Sequence, residues 1–169
     1  MNHVCRFLCL PALLLSFAFL STAEAGVQQS WKLFQGNYFK VGIPTGFTVV
    51  PPGEINNDAS DMISFWNPDS QVGFTVWVPL WDGESLAKEL KGRGEVLSTR
   101  KRIRDDDVIE EKLTITARDK SYIRYVTTRT NKATNNCMAF GIQVPNLQVY
   151  AQVEATYSAW KNTFVQTAY

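Results

Sequence analysis

Histidine is almost missing from this chain: the whole sequence holds one, His3. Cysteine is scarce too, present only as Cys5, Cys9 and Cys137. Most of these residues fall in the first 25 positions, which read as a leader. Arg6 supplies a basic start, and Phe7 to Leu20 is almost wholly apolar, interrupted by Pro11 and Ser16. Ala23-Glu24-Ala25 then has the small-x-small form of a cleavage site. The layout predicts a secretory signal peptide over residues 1–25, cut after Ala25, followed by a single domain over 26–169. The apolar run is short for a span of about 20 residues, and no basic stop-transfer patch follows it. Cys9 lies before most of that run, not at the cleavage site where a lipid anchor would need it.

Each shortage excludes something. Trimming would leave no imidazole and one thiol, Cys137. That excludes an intrachain disulfide, histidine acid–base chemistry and an ordinary zinc site. Stability must then come from packing alone. Charge of one sign is also lacking, since the net charge is +1 over 17 basic and 16 acidic residues. Nothing in that balance draws the chain to nucleic acid or to anionic lipid. Beyond the leader no run is long and apolar enough to span a bilayer. There is no Asn-x-Ser/Thr sequon. A periplasmic or secreted bacterial protein is the expected setting.

What the chain does contain is alternation. Phe39, Val41 and Ile43 alternate with Tyr38, Lys40 and Gly42, which predicts a strand over 38–43. Pro44-Thr45-Gly46 breaks it, and Phe47 to Val50 reads as the return strand of a hairpin before Pro51-Pro52-Gly53. Asp61 to Trp66 and Gln71 to Pro79 form the next predicted pair, hinged on Asn67-Pro68-Asp69-Ser70. Along the second of these, Val72, Phe74, Val76 and Val78 share one face and Trp77 takes the other, so both faces should be covered. Asp82 can cap a short helix to about Lys91, ended by Gly92 and Gly94. Four further strands are expected over 96–104, 108–117, 122–130 and 136–144, joined by polar turns that favour antiparallel neighbours. Val149, Val153, Tyr157, Trp160 and Phe164 then recur at helical spacing, predicting roughly five turns at 3.6 residues per turn.

Four stretches carry a family likeness. "YFKVGIPTGFTV", "DMISFWNPDSQVGFTVWV", "ESLAKELKG" and "YSAWKNTFVQ" resemble the opening strands, the next strand pair, a short helix and the closing helix of the PsbP/Mog-like family. The chain is similar in particular to that family's branch of small exported bacterial proteins, the DcrB-like group. The resemblance covers most of residues 31–169. It implies an α+β fold, a central antiparallel β-sheet flanked by helices in an α/β/α sandwich. It implies no shared catalytic residue. It also implies partner binding, because family members bind photosystem subunits, a small GTPase, secreted effectors or envelope components.

Candidate chemistry is thin. Ser85-Leu86-Ala87-Lys88 fits the S-x-x-K pattern of penicillin-binding enzymes, but S-D-N and K-T-G are absent. Cys137 alternates with Met138 and has no base to activate it, so it reads as a buried apolar thiol. Asp105-Asp106-Asp107 lacks the alternate ligand positions, central glycine and closing glutamate of a calcium loop and reads as a solvated tip beside Arg100, Lys101, Arg102 and Arg104. Glu84, Glu89, Glu110 and Glu111 offer a carboxylate pair only if the fold brings two together. Trp77 and Trp81, in Trp77-Val78-Pro79-Leu80-Trp81, are the candidate partner-binding residues, because an exposed indole at a strand end makes a contact anchor. The alternative places both rings under the helices. The expectation is an exported, non-enzymatic accessory or protein-binding domain without cofactor, metal or nucleic acid. The other readings are a small carboxylate-dependent hydrolase and, in a photosynthetic host, a photosystem-assembly factor.

Overall fold

The strands begin where alternation begins and end where Pro, Gly or a polar turn removes a pairing partner. The computed structural model describes residues 31–50, 60–79, 90–134 and 136–167. In chain order these form β1 (Lys32–Gln35), β2 (Phe39–Ile43), β3 (Thr48–Val50), β4 (Ser60–Trp66) and β5 (Gly73–Pro79). β6 (Glu95–Asp105), β7 (Val108–Ala117), β8 (Ile123–Asn131) and β9 (Asn136–Val144) follow, then α1 (Leu147–Lys161) and β10 (Val165–Gln166). The leader and the helix expected from Asp82 lie outside the described residues.

All pairings are antiparallel and build two sheets. The larger has seven strands in the order β3-β4-β5-β9-β8-β7-β6, and the smaller has three, β1-β2-β10. The turns between strands are closed as their composition predicts. Asn67 Oδ1 accepts from the backbone N–H groups of Gln71 and Val72, both at 2.9 Å. Asp119 Oδ1 does the same for Ser121 N–H at 3.0 Å. Such side-chain acceptors replace a backbone partner at the bend.

The Pro44-Thr45-Gly46 break is a corner between sheets and not a hairpin. Pro44 gives β2 no further N–H, Gly46 takes φ +80°, and Phe47 N–H donates to Pro44 C=O at 3.0 Å. A positive φ at the third position of such a turn calls for glycine. β2 stays in the small sheet, while β3 passes to the large one and pairs with β4.

The expected α/β/α sandwich is therefore corrected. The described chain is mostly β, with one helix, and that helix shares a single face of the large sheet with the small sheet. The cause lies in two short segments, 32–35 and 165–166, which sandwich β2 and withdraw it from the main sheet. The core between these layers is aromatic. Phe39 and Val41 of β2, Phe65 of β4, Phe74 of β5, Ile142 of β9 and Trp160 of α1 are fully buried. Trp160 has ring neighbours Phe65, Phe74, Phe140 and Tyr157 at centroid distances of 5.3–6.0 Å. Its Nε1–H donates to Gly42 C=O at 2.9 Å, tying the helix to β2. Gly42 N–H in turn donates to Thr163 Oγ1 at 2.7 Å.

α1 starts where expected, with Asn146 Oδ1 accepting from Val149 N–H at 3.0 Å. It stops at Lys161, one turn before Phe164. Phe164 still reaches the core, because its ring stacks on Phe39 at 5.8 Å and meets Phe140 edge-on at 5.1 Å from the chain beyond the helix.

Candidate functional site

The strand period sorts the large sheet into two faces. Phe74, Val76 and Val78 of β5 point to the aromatic core, so Trp77 must point the other way. There it is half-buried and packs beside Leu113, Ile115, Val126, Cys137 and Ala139. Met62 and Ala139 are its cross-strand partners. Trp77 is thus part of a second, smaller apolar cluster. Trp81, Ser85, Lys88, Glu84 and Glu89 lie outside the described residues.

Cys137 is fully buried in the same cluster, with its Sγ 3.3 Å from Thr130 Oγ1. Burial pushes the thiol above its ordinary range, which favours the unreactive protonated form.

Two buried glutamates occupy this face, each held by arginine. Glu95, 5% exposed, accepts from Gly92 N–H at 2.6 Å, Tyr122 Oη at 2.8 Å and Arg124 Nη2 at 2.6 Å. Burial alone would raise its pKa. The donated bonds and the Arg124 charge overcome that and hold the carboxyl below the usual glutamate range. Tyr122 is pushed upward, first by burial and then by the carboxylate it serves. Glu111, 3% exposed, lies 2.6 Å from Arg100 Nη2 and 3.3 Å from Arg102 Nε. The glutamates are not a catalytic pair. Glu95 sits opposite Ala117 in the β6–β7 register, so it is roughly 20 Å along the strand from Glu111, at about 3.3 Å per residue. A glycosidase pair needs about 5–9.5 Å. Glu110 points to the opposite face from Glu111 and takes Lys112 Nζ at 3.2 Å.

Asp106 and Asp107 form the tip joining β6 to β7, with Asp106 at φ +42° and Asp105 closing the ladder opposite Val108. No group of three His, Cys, Asp or Glu side chains among the described residues is arranged to hold a metal ion. No described helix is long and apolar enough to cross a membrane.

What the arrangement does offer is an edge. β6 is the last strand of the large sheet and runs for 11 residues, exposed along almost all of them beyond Leu97. It pairs with β7 on one side only among the described residues. Ser98 is an extra residue in its ladder, since Leu97 faces Ile115 and Thr99 faces Thr114. The Glu111 ion pairs fix two of its basic side chains to the sheet. Sequence reasoning places a strand over 96–104 and reads the three aspartates after it as a solvated tip, but it misses the strand's open side, which depends on pairing between segments far apart in the chain.

No protein-family model matches the chain, and no curated protein matches it. Among solved structures it is similar to the solution structure of cyanobacterial PsbP (CyanoP) from Synechocystis sp. PCC 6803. The TM-score is 0.50 at 10% identity, covering 87% of this chain and 98% of that one. At that identity the likeness concerns the fold, which is PsbP-like.

Proposed function

We propose that the chain is exported, loses residues 1–25, and serves outside the cytoplasm as a non-catalytic accessory domain that docks on another envelope or secreted protein. The observation that carries this reading is the long β6 strand, exposed and paired on one side only among the described residues. A sheet edge of that kind binds by lending its unpaired N–H and C=O groups to an added strand. The reading is further supported by the acids of the second face, which are engaged by arginines and stand too far apart for paired carboxylate chemistry. The PsbP-like fold fits an accessory role.

The test uses a photo-crosslinking residue at Arg104, with a second at Glu154 on the exposed side of α1 as control. Both are expressed in the source cells from the full chain. A discrete adduct from position 104 alone is expected, on a protein whose amino terminus maps to Gly26. Equal adducts at both positions, or an intact leader in a cytosolic fraction, would overturn it.

A photosystem-assembly role is a second reading, favoured by the likeness to a cyanobacterial structure. It requires a photosynthetic host and predicts co-purification with thylakoid membranes. Loss of the chain from that fraction after a mild salt wash, with no effect on photosystem accumulation in a deletion strain, would remove it.

A further inference from the structure

We propose that the open side of β6 accepts an extended acidic segment of another protein, whose carboxylates meet the alternating arginines of that strand. The inference rests on the proposed docking function and names the chemistry of the partner.

The argument starts from register. Arg100, Arg102 and Arg104 stand at every second position, opposite Leu113, Glu111 and Ile109, and so project on one face. Lys101 and Ile103 project on the other, and both are exposed. The inner neighbour does not balance this charge. Glu111 serves two arginines, Arg100 and Arg102. Lys101 lies directly opposite Lys112, whose own ammonium turns to Glu110 at 3.2 Å. On the arginine face, acids arriving beside Arg102 and Arg104 add to the one carboxylate, Glu111, that β7 offers there.

The same charges oppose other occupants. A second copy adding antiparallel about Arg102 would set Arg102 against its own image and Arg100 against Arg104. A basic or neutral strand would forgo the complementarity altogether. Lysine, arginine and a bulge at a sheet edge also discourage indiscriminate pairing. The Ser98 bulge confines addition to the seven residues 99–105, about the length of an ordinary strand. Ile103 lies exposed on the face away from the arginines, so the occupant carries an apolar side chain there. The fitting segment alternates carboxylate and aliphatic residues, with carboxylates on the arginine face.

The probe is a fluorescent peptide of alternating glutamate and valine, titrated into the full chain at low salt. Controls are the lysine–valine peptide and a glutamate–valine peptide N-methylated at alternate residues. Binding of the unmodified acidic peptide is expected, with slowed amide exchange confined to β6. The lysine peptide should bind at least tenfold more weakly. N-methylation on the pairing edge should cost at least as much, which separates strand addition from simple charge attraction. The variant Arg104→Glu changes an exposed side chain on the arginine face and should retain the unfolding midpoint while losing at least tenfold in affinity. Equal binding of methylated and unmethylated peptide, or unchanged β6 exchange, would overturn the proposal. So would self-association of the chain through this strand in sedimentation. If position 104 crosslinks a partner in cells while the acidic peptide fails to bind, the acidic chemistry falls and the docking reading survives. If the peptide binds while position 104 crosslinks nothing in cells, the acidic chemistry stands and the docking reading falls.

Discussion

A methyl group on Gly42 would lie 2.9 Å from Trp31 Cε3 and 3.0 Å from Thr163 Oγ1. Gly42→Ala therefore forces either the indole or the threonine clamp to move. A loss of roughly 1–3 kcal/mol is expected from such overpacking, read by urea unfolding. Trp160→Ala removes a fully buried ring and should cost roughly 3–5 kcal/mol. Trp160→Phe keeps most of the packing but leaves Gly42 C=O without its buried donor, so it should cost less, about 1–3 kcal/mol. Glu95 gives a pH signature. Its pKa is lowered by folding, so its contribution is present above the unfolded value near 4.5 and is lost as pH falls through the folded value. Glu95→Gln should be less stable at pH 7 and lose less than the parent between pH 6 and pH 3. Parallel curves for the two proteins across that range would show that Glu95 is not the coupled group. Trp160 is legible in the sequence, because its helical spacing from Tyr157 and Val153 marks the inward face. Gly42 is not, since its role depends on residues more than a hundred positions away. Arg124 is missed for the same reason, as its Glu95 partner is set by packing across strands.

At the scale of elements, β4, β5, β7, β8 and β9 stand where alternation and turns predict. β1 and β10 escape such a reading because four and two residues cannot display a period. The Pro44-Thr45-Gly46 corner is legible as a turn but not as a change of sheet, because a turn specifies a direction and leaves the partner strand open. The β6 edge is unreadable for a related reason: strand order is a long-range property. The helix start is the best-specified boundary. Asn146→Ala should cost about 1 kcal/mol by removing the acceptor for Val149 N–H, while Asn146→Asp should be nearly neutral. Equal losses from both, measured by denaturant titration, would show that the cap contributes through contacts other than that bond.

At the scale of the molecule, the two sheets are joined by residues from widely separated parts of the chain. β2 pairs with β1 on one side and β10 on the other, and Thr167 N–H adds a bond to Tyr38 C=O at 2.8 Å. Ending the chain at Lys161 deletes Thr163, Phe164 and β10. Losing the partly buried Phe164 ring alone should cost roughly 1–3 kcal/mol, a sizeable part of the 5–15 kcal/mol by which a domain is stable. The truncated chain should be cleaved by dilute protease far faster than the parent and unfold over a broad transition. Equal resistance would mean that the small sheet is dispensable.

Because β2 waits for Trp160, Thr163 and β10, the nest of aromatic rings is sealed by segments that follow every strand of the large sheet in the chain. A nascent chain has every strand of the large sheet before it has the latch. Until that latch emerges the rings of the large sheet have nothing to close over them, so a partly made chain stays open on that side.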